Sequence, residues 1–207
     1  MNNVFVFRIS PDSDYIKHEF ERGRLRQGWG NSDADLHLPQ DEWISRQCQG
    51  DAWDGNRAYY TRKYCNHKIM LEIKAGDILI IPKLPISSQF TICRAAGEYE
   101  FQKPNGFDGD DFYHMIPIDL TTVRRFNYHA DEDCENIRAK MRAYQSPLNH
   151  VWNQMVRDSA ERLLKIESNE TGSDILDIVG SIKLDIYENA LQRLRDLGSR
   201  SAEKIVE

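Results

Sequence analysis

The chain is 207 residues long, 40% hydrophobic and 29% charged, an ordinary globular composition that excludes collagen, a coiled-coil rod or wholesale disorder. Its formal charge of −6 disfavours a non-specific nucleic-acid coat, which is normally basic, but leaves room for a local basic patch. No apolar run approaches the roughly 18–20 residues of a spanning helix, and the opening MNNVFVFRISPD lacks the basic and long apolar segments of a secretory signal, so a cytoplasmic protein is expected.

Val4-Phe5-Val6-Phe7-Arg8-Ile9 predicts a short buried strand, stopped by Ser10-Pro11-Asp12. A short helix is predicted within Asp14–Arg26, where Tyr15, Ile16 and Phe20 are apolar and Gly23 stands near the end. A loop rich in Gly, Asn and Asp follows at 28–33, and residues 40–65 are polar with helical character. Ile69–Ile73 leads into the turn Lys74-Ala75-Gly76-Asp77. The β-branched run Ile78–Lys83 reads as a central strand ended by Pro82, which cannot donate to a ladder. Further strands are predicted at Phe90–Ala95, Gly97–Phe101 and Phe112–Ile118, a spacing that suits a compact barrel.

Past residue 130 the pattern turns helical. Pro147 suits the first turn of a helix over Leu148–Ile166. Apolar residues from Ile175 to Leu197 recur at three- and four-residue steps, an amphipathic helix with Gly198 as its stop. The expected fold class is α+β: a small β-barrel with flanking helices over 1–130, then a helical extension over 131–207. The four cysteines, Cys48, Cys65, Cys93 and Cys134, contain no CxxC pair, so no disulfide framework is expected. Cys65-Asn66-His67 is half of a metal site without a second half, and neither metal nor cofactor is expected.

The order Lys74-Ala-Gly-Asp-Ile-Leu-Ile-Ile-Pro-Lys83, Phe90-Thr-Ile-Cys-Arg-Ala-Ala-Gly-Glu-Tyr-Glu-Phe101 and Asp111-Phe-Tyr-His-Met-Ile-Pro-Ile118 resembles the PUA/EVE-like barrel modules at the front of Mrr-like, modification-dependent restriction endonucleases. Those show a Gly-Asp turn, a strand ending Pro-Lys, a Gly-x-Tyr-x-Phe strand and a His before an apolar strand with proline. Leu194–Glu207 resembles the opening helix of an Mrr-type nuclease domain, and Gly23–Gly30 resembles a segment of the same group. The resemblance implies a DNA reader that accepts a flipped, modified base in an aromatic pocket, as the targeting part of a restriction or antiphage defence system. It places any nuclease domain beyond residue 207 and no catalytic residue within this chain.

A flipped base must regain its lost stacking, about 1–3 kcal/mol per base on an aromatic ring, and needs polar groups at its edge and cations for its phosphates. Trp29, between Gly28 and Gly30, and Trp53, in Gly50–Gly55, are tryptophans in loop context, and Tyr59 follows closely. Trp43 suits a core position. Tyr99 alternates with Phe101 on one strand face, which fits a barrel interior as well as a pocket wall. His114 is placed either to donate to a base or phosphate or to bond a backbone carbonyl. Arg24, Arg26, Arg57 and Lys83 are the candidate phosphate contacts, in clusters that include Arg22, Arg62 and Lys63; a solvated face is the ordinary reading of such runs. Two other function classes stand beside this one. Asp54 with Glu72-Ile73-Lys74 imitates the Asp…Glu-x-Lys Mg²⁺ site of restriction-type nucleases. The helix over 174–197 suits a dimer seam, so a homodimer is an expected partner alongside DNA.

Overall fold

Val4–Phe7 (β1) and Ile78–Pro82 (β3) are apolar without alternation because both of their faces are covered. They lie side by side in parallel, with Val4 opposite Ile78 and Val6 opposite Ile80. Val4, Val6, Ile78 and Ile80 point into one core and Phe5, Phe7, Leu79 and Ile81 into another. The computed structural model describes residues 2–9, 13–29, 31–50 and 56–166. These fall within one compact unit, Met1–Ile166. Trp53, Asp54 and the segment expected to form the 175–197 helix lie outside the described residues.

The remaining strands are Arg24–Gln27 (β2), Gln89–Ala95 (β4), Glu100–Phe101 (β5), His114–Asn127 (β6) and Leu148–His150 (β7). They join β1 and β3 in one sheet of order β2-β6-β4-β3-β1-β7, with β5 also paired to β6. Every pairing other than β1 with β3 is antiparallel. The sheet curls into a half barrel flanked by helices, in a mixed α+β architecture. Its curl is focused in β6. The first residues of β6 pair with β2 and β5, while the later ones pair with β4. The register with β4 shifts between Ile92 and Arg94. There the Thr122 hydroxyl accepts from the Arg94 amide at 2.8 Å and donates to the Asp119 carbonyl at 2.7 Å, replacing the missing ladder bonds.

Asp14–Glu21 (α1), Gln40–Gly50 (α2) and Arg57–Lys68 (α3) cover one face through Ile16, Phe20, Trp43, Ile44, Tyr60 and Tyr64. Glu132–Lys140 (α4) and Gln154–Lys165 (α5) cover the other through Ile137, Val156, Ala160 and Leu163. Side-chain caps start four of these helices: Ser13, Asn56, Asp131 and Asn153 each accept a backbone N–H of the first turn. Among the described residues no helix is long and apolar enough to cross a membrane.

Four elements differ from the sequence expectation, the strand expected at Gly97–Phe101 being confined to Glu100–Phe101. The helix expected within Asp14–Arg26 ends at Glu21, because Gly23 turns the chain at φ +79° and Arg24–Gln27 then pairs with β6 as a strand. Leu148–His150 is a strand rather than the start of a helix. Its pairing with the edge of β1 outweighs local preference, and the helix begins at Gln154 after the Asn153 cap. The strand expected at Phe112–Ile118 starts at His114 and runs on to Asn127. The compact unit also continues past residue 130, where the helical extension was expected to begin, with α4, β7 and α5 packed onto the sheet.

Candidate functional site

α3 brings two kinds of residue to one place. Tyr60, Tyr64 and His67, at steps of four and three, face the core, while Tyr59 and Lys63, one turn apart, lie on the neighbouring stripe. The loop leaving β2 crosses above this stripe. Trp29 there is 53% exposed and adopts φ +74°. The Lys63 ammonium lies 3.1 Å from the centre of the Trp29 ring and 5.3 Å from that of Tyr59, and the Arg62 guanidinium lies 5.9 Å from the Tyr59 ring. Such cation–π contacts are worth about 0.5–2 kcal/mol. Burial holds the Lys63 amine below its usual range, and Arg62 adds to this.

The left-handed φ of Trp29 has a companion across the loop, Phe112 at +63°. Both meet at Gly28, where a Cβ would stand 3.0 Å from an Asp111 carboxylate oxygen and 3.2 Å from the Phe112 ring. A larger residue here would require the Asp111 carboxylate and the Phe112 ring to give way. The Ser32 amide donates to Asp110 at 3.0 Å and ties the Trp29 loop to the one before β6. Left-handed conformations in bulky residues cost about 1–3 kcal/mol each and cluster at working sites.

Beneath this loop, His114 is the hub of an aromatic cluster. Its ring lies 5.5 Å from Phe101, 5.9 Å from Tyr99 and 5.7 Å from His67, centre to centre. His67 and His114 are both fully buried. His67 Nδ1 bonds the Lys63 carbonyl at 2.8 Å, and His114 Nδ1 bonds the Tyr99 hydroxyl at 2.9 Å. The Nε2 atom of each ring is buried without a hydrogen-bond partner. The backbone of Gly28 influences His67 and that of Trp29 influences His114, each favouring the protonated ring without reaching bonding geometry. Burial dominates, however. It pushes His67 below its ordinary value, and it pushes His114 down to about 3 with help from His67. Burial also raises the Tyr99 phenol, so that it keeps its proton.

Of the nine residues expected at a base site, Trp29, Tyr59, Tyr99 and His114 therefore converge on one loop junction, two at its surface and two buried beneath. The cations divide differently. Arg26 is 1% exposed, and its guanidinium donates to Glu19 at 2.6 Å and to the carbonyls of Gln102 and Phe112 at 2.9 Å. It is a core cation that ties β2 to the loop before β6, and it is not placed to meet a phosphate. Arg24 donates two bonds to the same Glu19, at 2.7 and 2.6 Å. Arg57, at the exposed start of α3, pairs with Asp41. Lys83 follows β3 at φ +63°. Its hairpin pairs with the Phe126–Asn127 end of β6, the opposite end from His114.

His67 was legible only as part of Cys65-Asn66-His67. The step from Tyr60 to Tyr64 to His67 was the signal for its burial. Cys65 is exposed and His67 buried, so this pair does not converge. Among the described residues no three His, Cys, Asp or Glu side chains group as metal ligands. Glu72 and Lys74 flank a turn whose backbone is held by Asp77, which accepts from the Lys74 and Asn3 amides. An open cleft at the β6 bulge is lined by Arg22, Arg94, Asp119 and Leu120 among others but by no aromatic side chain, so it offers a base no stacking surface. No protein-family model matches the chain, and no curated protein matches it significantly.

Proposed function

We propose that the chain is a nucleic-acid reader that holds an extruded base of DNA, modified or otherwise foreign, at the Trp29 loop. In this reading it is a PUA/EVE-like module that directs an Mrr-like restriction or defence nuclease. The observation that carries the proposal is the half-exposed Trp29 ring, held in a strained backbone with Lys63 across its face and Tyr59 within reach of the same ammonium. A base stacks on Trp29 as Lys63 moves from the ring to a flanking phosphate. Arg62, Arg57 and the partly exposed edge of Arg24 supply further positive charge. Trp53 lies outside the described residues and is assigned no role. Arg26 and Lys83 take no part, for the reasons of burial and position given above.

The test is fluorescence anisotropy with oligonucleotides carrying plain, methylated, hydroxymethylated or glucosylated bases, repeated across salt concentrations. Trp29→Ala is expected to weaken binding by the about 1–3 kcal/mol of one stacked base. Lys63→Ala is expected to lower the salt slope by about one phosphate contact. Equal affinity of Trp29→Ala and the parent protein for every oligonucleotide would remove the site from the Trp29 loop.

A further inference from the structure

Glu19 serves more cations than it can bind. Its two carboxylate oxygens accept from Arg24 and Arg26 at 2.6 to 2.7 Å, whereas the Arg22 guanidinium stands 3.7 Å away, paired by charge but without a hydrogen bond. Three guanidinium groups thus share one carboxylate. Arg22, the most exposed of the three, lines the open cleft at the β6 bulge. Arg94 of β4 lines the same cleft. Its Nη1 donates to the Gly76 carbonyl at 2.7 Å, and among the described residues its side chain makes no other hydrogen bond and no ion pair. A guanidinium carries five N–H donors in a planar fork that matches phosphate oxygens. Most of those on Arg22 and Arg94 are uncommitted.

The cleft has a volume of about 590 Å³, within the about 300–1,000 Å³ of ordinary small-molecule sites. Ala95, Ile118 and Leu120 give it aliphatic walls. Among the described residues its one carboxylate is Asp119. Asp119 Oδ1 accepts from the Thr121 amide at 3.0 Å and the Thr121 hydroxyl at 2.7 Å, and no described donor engages Oδ2. The cleft therefore offers donors to an oxyanion, an acceptor to a hydroxyl, and aliphatic surface to a carbon skeleton.

We propose that this cleft binds a phosphate ester of a small hydroxylated carbon skeleton, a sugar or polyol phosphate. The phosphate takes the open N–H donors of Arg22 and Arg94, a ligand hydroxyl donates to Asp119 Oδ2, and the skeleton lies on Ile118 and Leu120. A bare anion would meet the Asp119 carboxylate with nothing to donate to it, which is why the hydroxyl belongs to the inference. The site shares no residue with the Trp29 loop. Gly23, on its wall, precedes β2 and Trp29 follows it, at opposite ends of the pairing of β2 with β6. It therefore stands independently of the reader proposal. The ribose phosphate of an RNA strand presents the same groups, and the test separates the two sources.

The test follows the backbone amide and arginine Nε–H resonances of the full chain while ribose 5-phosphate, propyl phosphate or inorganic phosphate is added at millimolar concentration. Sodium chloride at matched ionic strength controls for screening. The expected result is a saturable shift of Arg22, Gly23 and Arg94 with ribose 5-phosphate. Affinity is expected to be about tenfold weaker for propyl phosphate, and about tenfold weaker for ribose 5-phosphate in Arg22→Gln, a substitution at an exposed side chain. Asp119→Asn removes the repulsion and is expected to bring the two esters closer in affinity. Shifts no larger than those with chloride would overturn the site, and so would an Arg22→Gln affinity equal to that of the parent. Equal affinity of the parent for both esters would overturn the hydroxylated ligand. A uridine oligonucleotide that produces the same shifts in Trp29→Ala and binds more tightly than ribose 5-phosphate would place the phosphate in a strand and overturn the free ligand.

Discussion

His114 shows what a single residue contributes here. Its imidazole is held neutral because burial disfavours the charged form and because His67 lies beside it. As the pH falls, the unfolded chain takes up protons first, near the ordinary histidine value. The stability that depends on a neutral His114 is therefore complete above about pH 6.5 and is lost progressively below it, down toward the folded value of about 3. At pH 5 this residue alone accounts for a loss of about 2 kcal/mol, and His67 adds to it in the same direction. Denaturant titrations at pH 7.5 and pH 5 measure the effect. Replacing His114 by Phe should flatten the decline, and an unchanged midpoint for the wild-type chain across that range would contradict the assignment.

Among the elements, α1 and β2 are joined by charge as well as by packing. Glu19, fully buried at the last turn of α1, accepts from Arg24 and Arg26 on the same side of β2. The hydrogen bonds from Arg24, with those from Arg26, hold its carboxyl down to about 2. Glu19→Gln keeps the volume but leaves Arg26 buried with its charge unmatched, a change that costs about 3–5 kcal/mol in comparable buried pairs. The expected outcome is a clear fall in the thermal midpoint at pH 7. The variant should also lose the Glu19 share of the parent's acid sensitivity between about pH 4.5 and pH 2, while the histidine share remains, since this carboxylate stabilises the fold only while ionised. Because Arg26 also holds the Phe112 carbonyl, the loop that meets Trp29 should loosen with it. Hydrogen exchange at Asp111–Tyr113 would report that coupling, and unchanged protection there would confine Arg26 to a role in stability.

For the whole molecule, the decisive feature is a sheet covered on both faces. Val4, Val6, Ile78, Ile80, Phe90 and Ile92 face α4 and α5. Burying one such side chain is worth about 1.5–3 kcal/mol, so uncovering six of them costs as much as the about 5–15 kcal/mol that holds a domain together. A chain ended at residue 130 is therefore expected not to fold, whereas one ended at residue 166 keeps every described element. Circular dichroism and dispersion of the amide resonances in the two truncations test this. A folded 1–130 fragment would show that α4, β7 and α5 are dispensable.

The sequence determined the parts whose pattern is local. The unbroken apolar runs of β1 and β3, the Gly76-Asp77 turn and the class of fold were all readable, since a strand covered on both faces needs apolar residues at every position. Trp29 was legible as an exposed loop residue because a tryptophan between glycines is hard to place in a core. Tertiary structure alone decided the sidedness and the partners. The alternation of Arg24 and Arg26 puts them on one strand face, but only the position of Glu19 on a neighbouring helix makes one a core cation. Likewise His67 and His114 are 47 positions apart, and their shared burial depends on how α3 crosses the start of β6, a long-range packing outcome that no local periodicity encodes.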